Sequence, residues 1–357
     1  MNMQSLHVNK RFLCTLRDSL HKVMIFTMGF IVGILVIRSS ANKFQQNKIC
    51  TSLEKSKSSN IHSLPIFFQR NLIITAAVNF GLVSVYRFAR SVRASCTFCT
   101  LVIIVTNVTM NNSDFKELAR VYSITYISNE DYFVTRHIKH RTDTSHFYFT
   151  RWIIIKNYLS TLQANGEIFD NIFACDSRDT LFQKNIFEYI NNSTHGLYVF
   201  MEDIRMTIGT CKTNSGWIKT CFGEAELNRL FNKSISCAGT VLGTWSAFMS
   251  YLSAMESQIL TASTSCLSTP ADQGLHNYLV HNNKISNIKI HHISHEYGFV
   301  GTVGYALRLK RNQFGLVENM NGSVYAVVHQ WDRFKQMVDQ FQREYQIIPA
   351  QARSVKH

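Results

Sequence analysis

Three apolar runs in this 357-residue chain stop at side chains able to hold a metal ion or move a proton. Ile168, Phe169, Ile172, Phe173, Ala174 and Cys175 lead into Asp176-Ser177-Arg178-Asp179. Leu197 to Met201 leads into Glu202-Asp203, and Val324 to Val328 leads into His329. Charge at a strand's carboxyl end is where open α/β sheets bind ligands. Two carboxylates a few residues apart there can share a hard divalent cation, which in turn can hold a phosphate. The competing assignment is structural, with Asp179 capping a short helix and Asp176 pairing with Arg178. Residues 176–179 alone fit either.

Other segments carry related signals. Ile235 to Thr244 is built largely of small residues, Gly239 among them, which let backbone approach a ligand closely. Ala271-Asp272-Gln273-Gly274-Leu275-His276-Asn277-Tyr278 opens a helix after Pro270 and puts Asp272 in its first turn. A favourable charge at a helix N-terminus accounts for Asp272 but not for Gln273 and Asn277 beside it. His291, His292 and His295 lie between apolar residues without matching carboxylates and read as structural or surface groups.

Groups at separate strand ends need a sheet to bring them together. Leu72 to Val78 reads as a buried strand, and Asn79 through Gly81 as a turn. Leu82 to Arg93 reads as a helix with Arg87, Arg90 and Arg93 on its solvated side, and Leu101 to Val105 as a second buried strand. Strand, turn, helix and strand within about thirty-five residues make a βαβ unit, hence a parallel sheet. Phe115 to Ala119, Arg151 to Leu162 and Trp245 to Met255 read as helices, and Val121 to Ile127 alternates as a strand. Trp331, Phe334, Val338, Phe341 and Tyr345 mark an amphipathic terminal helix.

An apolar content of 46% with 12% aromatic residues supports a large core and excludes a disordered chain. The net charge of +14 suggests nucleic acid, but residues 1–60 hold nine Lys/Arg against Asp18 and Glu54, half of the excess. With no zinc-finger spacing, RNA-recognition signature or long basic run, no nucleic-acid partner is expected. Val23 to Ile37 is uncharged and almost wholly apolar. As a helix it covers about 22 Å of a roughly 30 Å hydrocarbon core, and Leu20, Lys22 and Arg38 can extend it by snorkelling. The basic region before it is long for a removable signal, so an uncleaved single-pass anchor is expected. Arg38 to Gln69 is polar and reads as a stem. Six N-X-Ser/Thr sequons, at Asn107, Asn111, Asn191, Asn192, Asn232 and Asn321, all follow the anchor, as a lumenal body requires. Among nine cysteines, Cys96 and Cys99 form a lone C-x-x-C, and Cys211 and Cys221 are expected to close a polar loop by a disulfide.

In their order, the anchor, the stem, the βαβ start, the acidic residues after a mid-chain strand, the small-residue segment, the Asp-Gln helix and the late strand ending in His329 resemble the GT-A nucleotide-sugar glycosyltransferases. The likeness covers roughly Asn71 to Arg333. Asp176-Ser177-Arg178-Asp179 is similar to that family's Asp-X-Asp motif, one residue longer. Ala271 to Asn277 is similar to the Asp-Gln segment of glycogenin-like members. His329 matches their late metal-binding histidine, although the Gly and Lys that follow it there are replaced by Gln330, Trp331, Asp332 and Arg333.

The resemblance implies an α/β, Rossmann-like GT-A fold, a mixed and mostly parallel sheet flanked by helices. This catalytic domain would span 70–349, behind a cytosolic tail (1–22), a transmembrane signal anchor (23–37) and a stem (38–69), as a type II protein of the Golgi or endoplasmic reticulum membrane. It implies a nucleotide-diphosphate sugar donor, a glycan, glycoprotein or glycolipid acceptor, and a divalent cation held by Asp176, Asp179 and His329. Mixed oxygen and imidazole ligands suit Mn²⁺ better than Mg²⁺. Asn79, Gly81 and Gly239 would lie near the nucleotide, with Arg151 or Lys156 facing phosphate. Asp272 and Gln273 would contact sugar or acceptor, and Asp272, Glu202 or Asp203 would serve as base if the reaction inverts. A lumenal metal-dependent hydrolase and a catalytically silent carbohydrate-binding protein are the alternatives from other classes.

Overall fold

The computed structural model describes residues 70–132, 146–190 and 195–345. The expected tail, anchor and stem, the sequons at Asn191 and Asn192, and residues 346–349 of the expected catalytic domain lie outside these. In chain order the strands are β1 (Asn71–Ala76), β2 (Thr100–Val105), β3 (Ile124–Ser128), β4 (Asn171–Asp176), β5 (Thr180–Phe182) and β6 (Leu197–Met201). There follow β7 (Ser236–Thr244), β8 (Ile290–Ile293), β9 (Val300–Thr302), β10 (Lys310–Arg311), β11 (Val317–Glu318) and β12 (Val327–His329). The helices are α1 (Leu82–Ser95), α2 (Asn107–Asn111), α3 (Ser113–Tyr122), α4 (His146–Ala164), α5 (Lys212–Phe222), α6 (Glu224–Leu230), α7 (Trp245–Thr261), α8 (Thr264–Leu267), α9 (Asp272–His281) and α10 (Lys335–Tyr345).

Seven strands form one sheet in the order β3-β2-β1-β4-β7-β6-β8. Every pairing in it is parallel except the two made by β7. The sequence explains why helices cover both faces. β1, β2 and β4 are mostly apolar and buried along nearly their whole length, as only a doubly covered sheet allows. Because side chains alternate, Ile73, Ile103 and Phe173 pack with Val85 and Phe88 of α1 and Phe115 and Leu118 of α3. Leu72, Ile74, Val102, Ile104 and Ile172 pack on the other face with Trp152 of α4 and Phe248 and Tyr251 of α7.

A three-stranded sheet, β5-β12-β9, adjoins the carboxyl ends of the central strands. It is joined to them twice: β5 begins four residues after Asp176, and Glu202, next after β6, bridges to Thr302 of β9.

Several expectations are corrected. Val121 and Tyr122 belong to α3, which starts under an Asn112 side-chain cap and ends at Ser123 in the left-handed region (φ 49°), so β3 begins only at Ile124. The arginine row on α1 is not simply a solvated face. Arg93 donates to the carbonyls of Cys99 (2.6 Å), Tyr122 (2.7 Å) and Ser123 (2.8 Å), and Arg87 lies over the Trp331 ring. Ile235 to Thr244 contains a full strand, β7. Among the described residues the disulfides are Cys96–Cys99 and Cys221–Cys266, while Cys211 is a buried free thiol. The expected Cys211–Cys221 bridge fails because residues 212–222 are helical. Ten residues of helix hold its ends about 15 Å apart, twice the reach of a disulfide. No helix among the described residues is long and apolar enough to cross a membrane.

Candidate active site

Asp176 is the last residue of β4, and a bend over 177–179 carries the chain into β5. Ser177 Oγ fixes the start of that bend by donating to the Ala76 carbonyl at 2.8 Å. At its far end the Gln330 amide donates to the Asp179 carbonyl at 2.8 Å, and Thr180 pairs directly with His329 of β12. Gln330 takes a left-handed φ of 61°, turning the chain out of β12 immediately after the histidine. The extra residue relative to an Asp-X-Asp motif is absorbed in passing from one sheet to the other, so both carboxylates reach the same imidazole. His329 Nε2 lies 3.4 Å from Asp179 Oδ1 and 3.6 Å from Asp176 Oδ2.

These three side chains suit a divalent cation. Each offers one donor atom, and the three atoms lie within 4.8 Å of one another. Spacings near 3.5 Å are those of neighbouring ligands around an ion about 2.1–2.5 Å from each. His329 Nε2 is buried with no hydrogen-bond partner. Gly239 leaves room beside it: a Cβ there would stand 2.6 Å from Asp176 Oδ2 and 2.6 Å from His329 Cε1. The side chains of His329 and Asp179 are 2% and 11% exposed and that of Asp176 is 34% exposed, so the cluster opens to solvent past Asp176.

Charge is distributed through Arg151 of α4, which bridges Asp176 Oδ1 and Asp272 Oδ2, the latter at 2.7 Å. Burial would raise the Asp176 pKa, but Arg151 outweighs it and holds the carboxyl well below its usual range. Asp176 is therefore an anion at neutral pH. Asp272 opens α9 and takes a second bond from Trp152 Nε1 at 3.2 Å, yet its burial still leaves its pKa above the ordinary value. Burial likewise opposes the charged form of His329, but Cys237, Asp179 and Asp176 outweigh it and raise its pKa.

Glu202 is 2% exposed, and burial pushes its pKa up to about 7. Its Oε1 accepts from Gln273 Nε2 at 3.1 Å, and its Oε2 has no partner. Gln273 is fully engaged, donating also to Asn214 Oδ1 (3.1 Å) and accepting from the Ala238 amide (3.2 Å). It ties α9 to α5, β6 and β7 rather than presenting a free amide.

The remaining expected residues divide. Asn79 and Gly81 follow β1, whose Ala76 pairs with Asp176, so their loop borders the cluster. Asn79 supplies the left-handed turn (φ 62°), whereas Gly81 has an ordinary φ and open space where a Cβ would go. Lys156 pairs with Glu256 of α7. Asp203 is not an available base, because Arg205 holds its carboxylate at 2.5 Å and lowers its pKa. His291 stacks on Tyr198 and His295 on Tyr325. Sequence reasoning missed Cys237, whose Sγ lies 3.4 Å from His329 Nδ1, and Trp152 and Asn214. The signal for Cys237 was its spacing of two from Gly239, which puts both on one face of a strand.

No family model and no curated protein matches the chain. Among solved structures it is similar to the galactosyltransferase LgtC in complex with donor and acceptor sugar analogues, at 15% identity and a TM-score of 0.43, covering 77% of this chain and 95% of that one. An active-site mutant of LgtC gives 15% identity and 0.38, covering 76% and 94%. The glycosyltransferase GlyE of Streptococcus pneumoniae TIGR4 gives 11% identity and 0.41, covering 79% and 61%.

Proposed function

We propose that this chain is a metal-dependent glycosyltransferase that moves a sugar from a nucleotide-diphosphate sugar to a glycan, glycoprotein or glycolipid acceptor. The observation that carries this reading is the convergence of Asp176, Asp179 and His329 beside Gly239, with Arg151 and Asp272 bonded into the same cluster. It acts in the Golgi or endoplasmic reticulum lumen as a type II protein held by residues 23–37.

Asp176, Asp179 and His329 would hold the cation, preferably Mn²⁺, which supplies positive charge where the departing diphosphate gains negative charge. The chain's own groups orient the rest. Arg151 occupies Asp176 Oδ1 and so aims Oδ2 toward His329. Arg151 and Trp152 both bind Asp272 Oδ2, which leaves Oδ1 to accept from a sugar hydroxyl. Glu202, titrating near neutrality and held by Gln273, is the group best placed to take a proton from an acceptor hydroxyl.

The test is thermal stabilisation of the full chain by a panel of nucleoside diphosphates, with and without Mn²⁺. A shift of several degrees for one nucleotide, seen only with metal and lost in Asp179→Ala, is expected. No shift for any nucleotide rejects the reading. Release of free sugar without any acceptor dependence replaces it with a hydrolase.

A further inference from the structure

His329 presents Nε2 to Asp176 and Asp179, and the residue as a whole is 1% exposed, so its other nitrogen faces the fold. Metal-bound histidines generally anchor that second nitrogen by donating its proton to a carboxylate, carbonyl or water. Here the partner is a thiol. Cys237 Sγ lies 3.4 Å from His329 Nδ1, and Cys237 is itself 1% exposed.

The arrangement follows from the period of a strand. Cys237 and Gly239 are two apart on β7 and point to the same face. The thiol meets the imidazole at Nδ1, while the glycine faces its Cε1–Nε2 edge, where a Cβ would stand 2.6 Å from Cε1 and 2.9 Å from Nε2. One residue grips the ring and the other clears the space in front of it.

We propose that Cys237 is a positioning residue for His329: its sulfur accepts the Nδ1 proton, which fixes the ring in the form whose Nε2 is free for a metal ion. This rests on the proposed metal site, but it makes a separate claim about the imidazole. A hydroxyl can accept that proton as a thiol does, whereas a methyl group cannot.

The experiment uses the full chain with Cys237→Ser and Cys237→Ala, and reads two quantities. The first is Mn²⁺ affinity, from the electron paramagnetic resonance signal of the free ion. The second is the slowly exchanging Nδ1 proton of His329, followed by NMR and assigned by its loss in His329→Gln. Roughly tenfold weaker Mn²⁺ binding and loss of the protected proton in the Ala variant are expected, with the Ser variant within about threefold of the parent and its proton retained. Equal binding by the parent and the Ala variant overturns the proposal. So does equal weakening in Ala and Ser, which would mean that only the packing of sulfur matters. If the parent binds no Mn²⁺, the metal site fails, and the Nδ1 proton still decides on Cys237: unchanged in the Ala variant, it rejects the role.

Discussion

A single missing side chain does much at this site. Gly239 has the β conformation of its strand, so it is not there for backbone freedom; it is there because Asp176 and His329 occupy the volume of a Cβ. Gly239→Ala should leave a folded protein, since the displaced groups are side chains at a cluster that opens past Asp176. Its metal-dependent thermal shift should fall by most of its size, and a titration calorimetry measurement showing parent-like Mn²⁺ affinity would remove Gly239 from the site. Glu202 makes a second argument at this scale. Its pKa is about 7 in the folded protein against 4.5 for a free glutamate. The folded state therefore keeps a proton that the unfolded chain gives up. The sign follows: the associated stability is fully present below pH 4.5 and is lost as pH rises through 7. The loss is roughly 3 kcal/mol at 1.36 kcal/mol per pH unit. In chelator-treated protein, Glu202→Gln should melt at a temperature that falls less than the parent's between pH 4.5 and 8. Parallel profiles for the two proteins would place the Glu202 carboxyl in an ordinary environment.

At the scale of elements, α4 joins the two halves of the site. Arg151 faces β4 and α9, while Lys156, one and a half turns later, pairs with Glu256 on α7. Arg151→Met would leave Asp272 buried at the head of α9 without its cation. Losing one partner of a buried pair costs about 3–5 kcal/mol. Asp272→Asn in the same chain should recover part of that, because the remaining amide carries no charge; a double-mutant cycle by chemical denaturation checks it, and full additivity would deny the coupling. Much of this level could be read in the sequence. The apolar runs of β1, β2 and β4 and the charge after β4 and β12 declared themselves because a doubly buried strand excludes polar residues until it ends. What could not be read was pairing across the chain. Nothing local says that Lys156 meets Glu256, or that Gln273 is consumed by Glu202, Asn214 and Ala238. Strand β7 was obscured for a related reason: its Gly and Thr residues match the space left by neighbours rather than any strand propensity.

The whole molecule adds one constraint that sequence spacing misplaced. Cys211 and Cys221 are neighbours in sequence on either side of a polar stretch, but α5 separates them, and Cys221 instead reaches Cys266 of α8, 45 residues away. Closing a loop of that length removes enough unfolded-state freedom to stabilise the fold by roughly 4 kcal/mol. It ties α5, which carries Asn214 and so the far side of the Gln273 network, to α8 just ahead of Asp272. Cys211, by contrast, accepts from Asn214 at 3.2 Å and contacts Tyr305 Oη at 3.1 Å, contacts that a serine can approximate. Paired replacement of Cys221 and Cys266 by serine should therefore lower the melting temperature by on the order of 10 °C, whereas Cys211→Ser should lower it by a small fraction of that. Reductant should depress the melting point of the parent and of Cys211→Ser alike and leave the paired variant far less affected. If Cys211→Ser were as damaging as the paired change and equally insensitive to reductant, the bridge would run between Cys211 and another cysteine.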